Sequence, residues 1–199
     1  MGAERLSAAE AVESHVRAFF AGHSVEAVDY DLGPERRAVV QELRVLVVAP
    51  GPHADSWAYV TAGCWAATAR DGHGLEFVMT AHVRDRRFVD LMAMLAHYHC
   101  GVHPLGLEHS MPIGEPWAPG SACDHLLISL PHLHGPALER CPLPEGHPCS
   151  RQGTPGFSRV GNAVLGPALR SDAASLRNAA LPPRCPQVGA GCQTRGLGS

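Results

Sequence analysis

Aromatic and methionine side chains almost disappear from this 199-residue sequence after residue 147. All three Trp, all three Tyr, all five Met and all 13 His lie at or before that position, and Phe157 is the one aromatic beyond it. Burial of such side chains supplies most of the energy of a core, so the front of the chain must hold it. Residues 147–199 carry 8 Gly and 6 Pro instead. Ordering a chain costs about 1–2 kcal/mol per residue for the backbone, and this composition offers little to offset it. Charge breaks at the same place. Residues 1–146 hold 10 Arg against 18 Asp and Glu, a net −8, and residues 147–199 hold 6 Arg against Asp172 alone, a net +5. The expected organisation is therefore a folded unit over residues 1–146 and a disordered Gly/Pro/Arg-rich tail over 147–199.

Local patterns place the elements of the front part. Ser7-Ala-Ala-Glu10 is a capping-box pattern, followed by Val12, Val16, Phe19 and Phe20 at helical spacing, with Gly22 as the stop. Leu43–Ala49 is rich in β-branched residues and ends at Pro50, and Trp57–Trp65 reads as a second strand. Leu75–Met79 reads as a third, pairing antiparallel with the second. Its Leu75, Phe77 and Met79 face the core and its Glu76 and Val78 the opposite side, where Glu76 is expected to meet solvent. Asp85 caps a helix with a stripe of Phe88, Leu91, Met92 and Leu95, ending near His99 because Gly101 and Pro104 follow. His125–Leu130 is a further strand closed by Pro131. The expected fold class is α+β: a mixed, mainly antiparallel sheet with helices packed on it, here on one face.

Chemistry-bearing motifs are scarce. The absence of Lys removes P-loop and Schiff-base lysines. Seven Cys with no C-x-x-C pair give no zinc ribbon or redox motif, and point to reduced thiols in a cytoplasmic protein. No apolar run approaches a membrane span, and a net charge of −3 gives no reason to expect nucleic-acid binding. The densest group of potential metal ligands is His97-Tyr-His99-Cys100-Gly-Val-His103, without the glutamate of a zincin helix. It supports, at most, a metal-assisted hydrolase. Asp124 and His125 are adjacent at a strand entry, where neighbours point to opposite faces and need not touch. No cofactor is expected.

What remains is a surface. Trp57, Tyr59 and Trp117 are residue types that favour interfaces, and Trp117 lies in a segment stiffened by Pro112, Pro116 and Pro119. With Glu76 and Asp124 they form the candidate partner-binding set. For Trp117 the competing reading, folding back on the core, is favoured because Trp is usually well buried.

Three segments carry a family resemblance: His53–Trp65, Gly72–Met79, and above all His103-Pro-Leu-Gly-Leu-Glu-His-Ser-Met-Pro-Ile-Gly-Glu-Pro-Trp117 with Asp124–Pro131. They resemble the bacterial members of the suppressor of fused domain family, from about residue 10 to about residue 146. The resemblance implies an α+β domain with a mixed sheet, no known enzymatic activity and no cofactor. Animal relatives bind Gli-type transcription factors in hedgehog signalling, a pathway bacteria lack. Bacterial relatives have been proposed as immunity proteins that bind toxins. Relatives continue past residue 146 with an apolar strand and a charged helix, whereas this sequence reads Gly146-His-Pro-Cys-Ser-Arg. A shifted reading frame near residue 147 would leave such a pattern. The domain is then expected to be incomplete at its C-terminal end, with an exposed sheet edge.

Two functions from different classes follow. The first is a non-catalytic, cytoplasmic protein-binding module, its acidic front part suited to a basic partner such as a toxin. The second is the hydrolase built on His97–His103.

Overall fold

The computed structural model of the protein describes residues 7–65, 74–114, 116–117, 122–131, 133–142 and 157–166, the last of these as backbone. Its centre is an eight-stranded sheet. Strands β1 (Val25–Val28), β2 (Arg44–Val48), β3 (Trp57–Ala62) and β4 (Leu75–Ala81) form an antiparallel run. Strand β8 (Phe157–Gly166) lies parallel to β4. On its other edge it pairs antiparallel first with β7 (Arg140–Pro142) and then with β6 (His125–Ser129). Strand β5 (Ser110–Pro112) closes the sheet beside β6. The sheet is mixed and mainly antiparallel, as expected. Four helices are described: α1 (Ala8–Phe19), α2 (Gly33–Arg37), α3 (Arg86–Gly101) and α4 (Gly135–Glu139). None is long and apolar enough to cross a membrane.

Both long helices start where the side chains dictate. The Ser7 hydroxyl accepts the Glu10 N–H at 3.2 Å while the Glu10 carboxylate accepts the Ser7 N–H at 2.8 Å, so the capping box satisfies two otherwise orphaned donors. Asp85 caps α3 by accepting the Arg87 N–H at 2.9 Å.

The helices cover both faces of the sheet, which corrects the expectation of a single covered face. Strand alternation divides the core. Val45 and Val47 of β2, Tyr59 of β3 and Leu75, Phe77 and Met79 of β4 join Phe88, Leu91, Met92 and Leu95 of α3 in one cluster. Leu46 and Val48, Ala58, Val60, Ala62 and Val78 turn the other way and meet Val12, Val16 and Phe20 of the α1 segment, with Leu138 of α4 and Cys141 of β7. The Phe77 face therefore packs on α3 as the sequence suggests. The opposite face is not solvent, and Glu76 on it is fully buried.

Three further expectations are corrected. First, the strand beginning at Trp57 ends at Ala62 rather than Trp65. Gly63 then adopts φ 126°, and a Cβ there would lie 2.9 Å from the Glu42 carbonyl oxygen, a conformation and a space that only glycine fits. Second, the chain past residue 146 is not without sheet structure: β8 sits between β4 and the β6–β7 edge. It pairs with the edge of β4, which would otherwise be bare. The backbone of a mid-sheet strand gains ladder bonds on two sides, a contribution that hydrophobicity counts do not register. The rest of the expected tail lies outside the described residues. Third, Cys64, Cys100 and Cys141 are free thiols, but Cys123 is disulfide-bonded, so the thiols are not uniformly reduced.

Candidate partner-binding surface

Strand β3 places Trp57 and Tyr59 two residues apart, on the face that meets α3. A row of rings continues from there. Tyr59 lies 5.0 Å, centroid to centroid, from Phe88 on the first turn of α3, and Phe88 lies 4.8 Å from Trp117. Tyr59 and Phe88 are buried, whereas Trp57 and Trp117 are half-buried and pack against the same core from its rim. The Trp117 N–H donates to the Cys123 carbonyl at 2.8 Å and the Ile113 N–H to the Asp124 carbonyl at 2.9 Å. These bonds extend the β5–β6 pairing and fix the loop that carries Trp117.

A guanidinium lies against each rim indole. The Arg84 Cζ is 5.4 Å from the Trp57 ring centroid and the Arg87 Cζ 5.1 Å from that of Trp117, within cation–π range. Carboxylates hold both groups. Arg84 Nη2 donates to Glu26 Oε2 at 2.8 Å. Arg87 donates from Nε and Nη2 to Asp85 Oδ2 at 2.9 and 2.6 Å. Those Arg87 hydrogen bonds hold the Asp85 carboxyl below its ordinary value. Sequence reading missed these arginines because Arg84-Asp-Arg-Arg87 signals only the start of a helix; the informative feature is that three of the ten arginines of residues 1–146 stand within four positions.

Of the sequence-predicted set, Trp57 and Trp117 are partly accessible and pack against the same core cluster, and Trp117 ends the ring row through Phe88. Trp117 packs on Phe88, as its core reading requires, while part of its surface stays accessible. Tyr59 is withdrawn as a contact residue because it is fully buried. Its hydroxyl accepts the Asp85 N–H at 2.9 Å and donates to the Val83 carbonyl at 3.5 Å. Burial holds this phenol above its ordinary value, the Asp85 N–H pulling the other way.

Glu76 is withdrawn for the same reason. Its Oε1 accepts the Gly63 and Trp65 N–H groups at 2.8 and 3.0 Å, and its Oε2 the Thr61 hydroxyl at 2.7 Å. The Thr61 oxygen in turn accepts the Phe77 N–H at 2.8 Å. The carboxylate thus ties the turn after β3 to β4. Burial raises its pKa and these hydrogen bonds offset part of the rise. Asp124 stays partly accessible, and its Oδ1 lies 2.8 Å from His125 Nδ1. The neighbours, which strand alternation alone did not require to touch, do so because Asp124 precedes β6.

The histidine cluster is not gathered into a site. His99 is fully buried, its Nδ1 accepting the Leu105 N–H at 2.8 Å and its ring standing edge-on to Phe77 at 5.2 Å. His103 is exposed and stacks on His109 at 6.0 Å. Among the described residues no three His, Cys, Asp or Glu side chains converge to hold a metal.

Comparison with known proteins gives the family. A search of curated proteins finds no match. The crystal structure of a protein described as a suppressor of fused homolog from Neisseria gonorrhoeae FA 1090 superposes with a TM-score of 0.62 at 22% identity, covering 87% of this chain and 84% of that one. At that identity the likeness establishes the fold. The model of the suppressor of fused protein (SUFU) family matches residues 40–155, a span that holds β2 to β7 and reaches beyond the boundary expected at residue 146. That match takes in more than half of the sequence, and the chain belongs to the suppressor of fused protein family.

Proposed function

We propose that the protein is a non-catalytic binding module that docks a protein partner on the surface formed by Trp57, Arg84, Arg87 and Trp117. The observation carrying this reading is the pair of half-buried indoles, Trp57 and Trp117, each under a guanidinium and both packed against the core cluster that holds Tyr59 and Phe88. Trp and Arg dominate binding hot spots because they combine large contact area with directional donors. Here the loop that presents the arginines is tied down by Tyr59, so docking loses little conformational entropy. Neutralisation of a toxin, the role suggested for bacterial relatives, is one form such binding takes.

A photo-crosslinking side chain tests the reading in cells. Placed at position 84, it should yield a discrete heavier adduct containing a second protein. Placed at Ser14, exposed on α1 across the sheet, it should not. No adduct from position 84, or equal adducts from both, sinks the reading. If the captured partner is a toxin, co-expression of the native protein should restore growth.

A further inference from the structure

We infer that Cys100 and Cys64 form a site of reversible thiol modification. Cys100 takes up half of a low-molecular-weight disulfide, and Cys64 then displaces it to leave an internal Cys64–Cys100 bridge. The site is independent of the binding face, whose arginines stand at the start of α3. Its two sulfurs come from different elements. Cys64 lies in the turn after β3 and Cys100 in the last turn of α3, 36 positions apart in the chain. The Cys100 thiol donates to the Cys64 carbonyl at 3.4 Å, and the two thiols hydrogen-bond one another. A disulfide draws its sulfurs to about 2.0 Å. Thiols already in contact reach that distance by a side-chain torsion and a small local shift rather than a rearrangement of β3 or α3. Cys141 does not compete. It belongs to the core cluster on the other face of the sheet, and its thiol is turned to the Ala11 and Pro142 carbonyls.

Accessibility sets the order of reaction. Cys100 is partly accessible beside the exposed Gly101 and Val102, whereas Cys64 is fully buried. Burial and the nearby Glu76 charge also hold the Cys64 sulfur as a thiol. Cys100, having released its proton to solvent, attacks one sulfur of the small disulfide as a thiolate. That S–S bond breaks and the other half leaves as a thiolate. Cys64 then attacks the Cys100 sulfur, and the second half leaves in the same way. The Cys64 proton passes to the Glu76 carboxylate, to which that thiol is hydrogen-bonded. Two electrons move from the protein thiols to the small disulfide, which is reduced to two thiols. The bridge ties the turn after β3 to α3 and encloses β4 between them, so it restricts the unfolded chain more than the folded one.

The full native chain, incubated with oxidised glutathione at mildly alkaline pH, tests this. Samples are quenched with iodoacetamide over time and cut after Arg and Glu, which places Cys64 in peptide 45–70 and Cys100 alone in peptide 88–108. Mass spectrometry should show glutathione on peptide 88–108 first, and then that peptide joined to 45–70. A dithiol reductant should separate them again. Cys64→Ala should stop the reaction at the mixed disulfide on Cys100, and Cys100→Ser should leave Cys64 unmodified. The bridged protein should melt about 5 °C or more above the reduced one, a shift absent from Cys100→Ser. The inference is overturned if glutathione stays on Cys100 of the native chain, if Cys64 reacts first, or if neither cysteine reacts. It is equally overturned if Cys100 joins any other cysteine, or if the bridge forms only after denaturation. A bridge that leaves the melting point unchanged or lowers it also overturns the inference, because the fold must then distort to close it.

Discussion

The Tyr59 hydroxyl accepts the backbone N–H of Asp85 at 2.9 Å, and through that one bond the buried sheet sets the position of the surface loop. Asp85 is at once the N-cap of α3 and the partner that holds Arg87 against Trp117. The same hydroxyl reaches the Val83 carbonyl, so both sides of Arg84 are anchored. Tyr59 is thus a positioning residue for a surface it does not reach.

Tyr59→Phe keeps the ring against Phe88 and deletes only the hydroxyl. A part-buried N–H then loses its acceptor, which costs about 1–3 kcal/mol. Chemical denaturation should show that loss. The crosslinking yield from position 84 should fall although Trp57 and Trp117 are untouched. Unchanged stability together with unchanged yield would show that the loop holds itself.

Glu76→Ala and Phe77→Ala should both be strongly destabilising, because the strand is buried on two faces. Phe77→Ala should cost about 3–5 kcal/mol as a core truncation. Glu76→Ala leaves the Gly63 and Trp65 N–H groups and the Thr61 hydroxyl without their acceptor, at about 1–3 kcal/mol for each buried group. A loss below about 1 kcal/mol, as for ordinary surface positions, would contradict the burial of Glu76.

The same carboxyl has a pH signature. Burial raises it above its ordinary 4.5, so the folded state keeps a proton that the unfolded state releases. Its contribution to stability is complete below 4.5 and is lost as pH rises through the raised value. Glu76→Gln cannot titrate, so native stability minus that of the variant should fall with rising pH across this window. Half-buried His134, whose pKa desolvation lowers from 6.5, acts in the opposite direction, but equally in both proteins. A flat difference would refute the assignment.

Amide hydrogen exchange checks strand β8. Pairing with β4 on one edge and with β7 and β6 on the other predicts protection across several consecutive amides of Ser158–Leu165. Exchange of that whole stretch within seconds would remove β8 from the sheet.

The thiols should react in a fixed order. Burial pushes the Cys64 thiol well up, and pushes Cys141 up to about 12 with the nearby Glu76 charge adding to the effect. Both are fully buried, whereas Cys100 is half-buried. Iodoacetamide should therefore modify Cys100 first among these three, as read by peptide mass spectrometry. Earlier labelling of Cys64 would mean that the turn after β3 opens.

Patterns confined to one segment were legible in the sequence. The capping box of Ser7 and Glu10, the cap at Asp85, the period-2 face of Leu75, Phe77 and Met79 and the stripe from Phe88 to Leu95 depend on neighbours within a turn or a strand. Family membership was legible in the motifs of β3 to β6 for the same reason. Contacts between distant segments were not. Alternation separates Glu76 from Phe77, but it does not reveal that α1 and β7 cover the Glu76 side. Tyr59 looks like an interface residue until the loop at 83–85 meets its hydroxyl. The strand β8, weakly signalled by its residues, is placed by ladders from three other strands, and long-range pairing leaves little trace in local composition. The arginine-capped indoles arise only because β3, the start of α3 and the loop at Trp117 converge on one rim, a juxtaposition set by how the chain packs rather than by the spacing of any one motif.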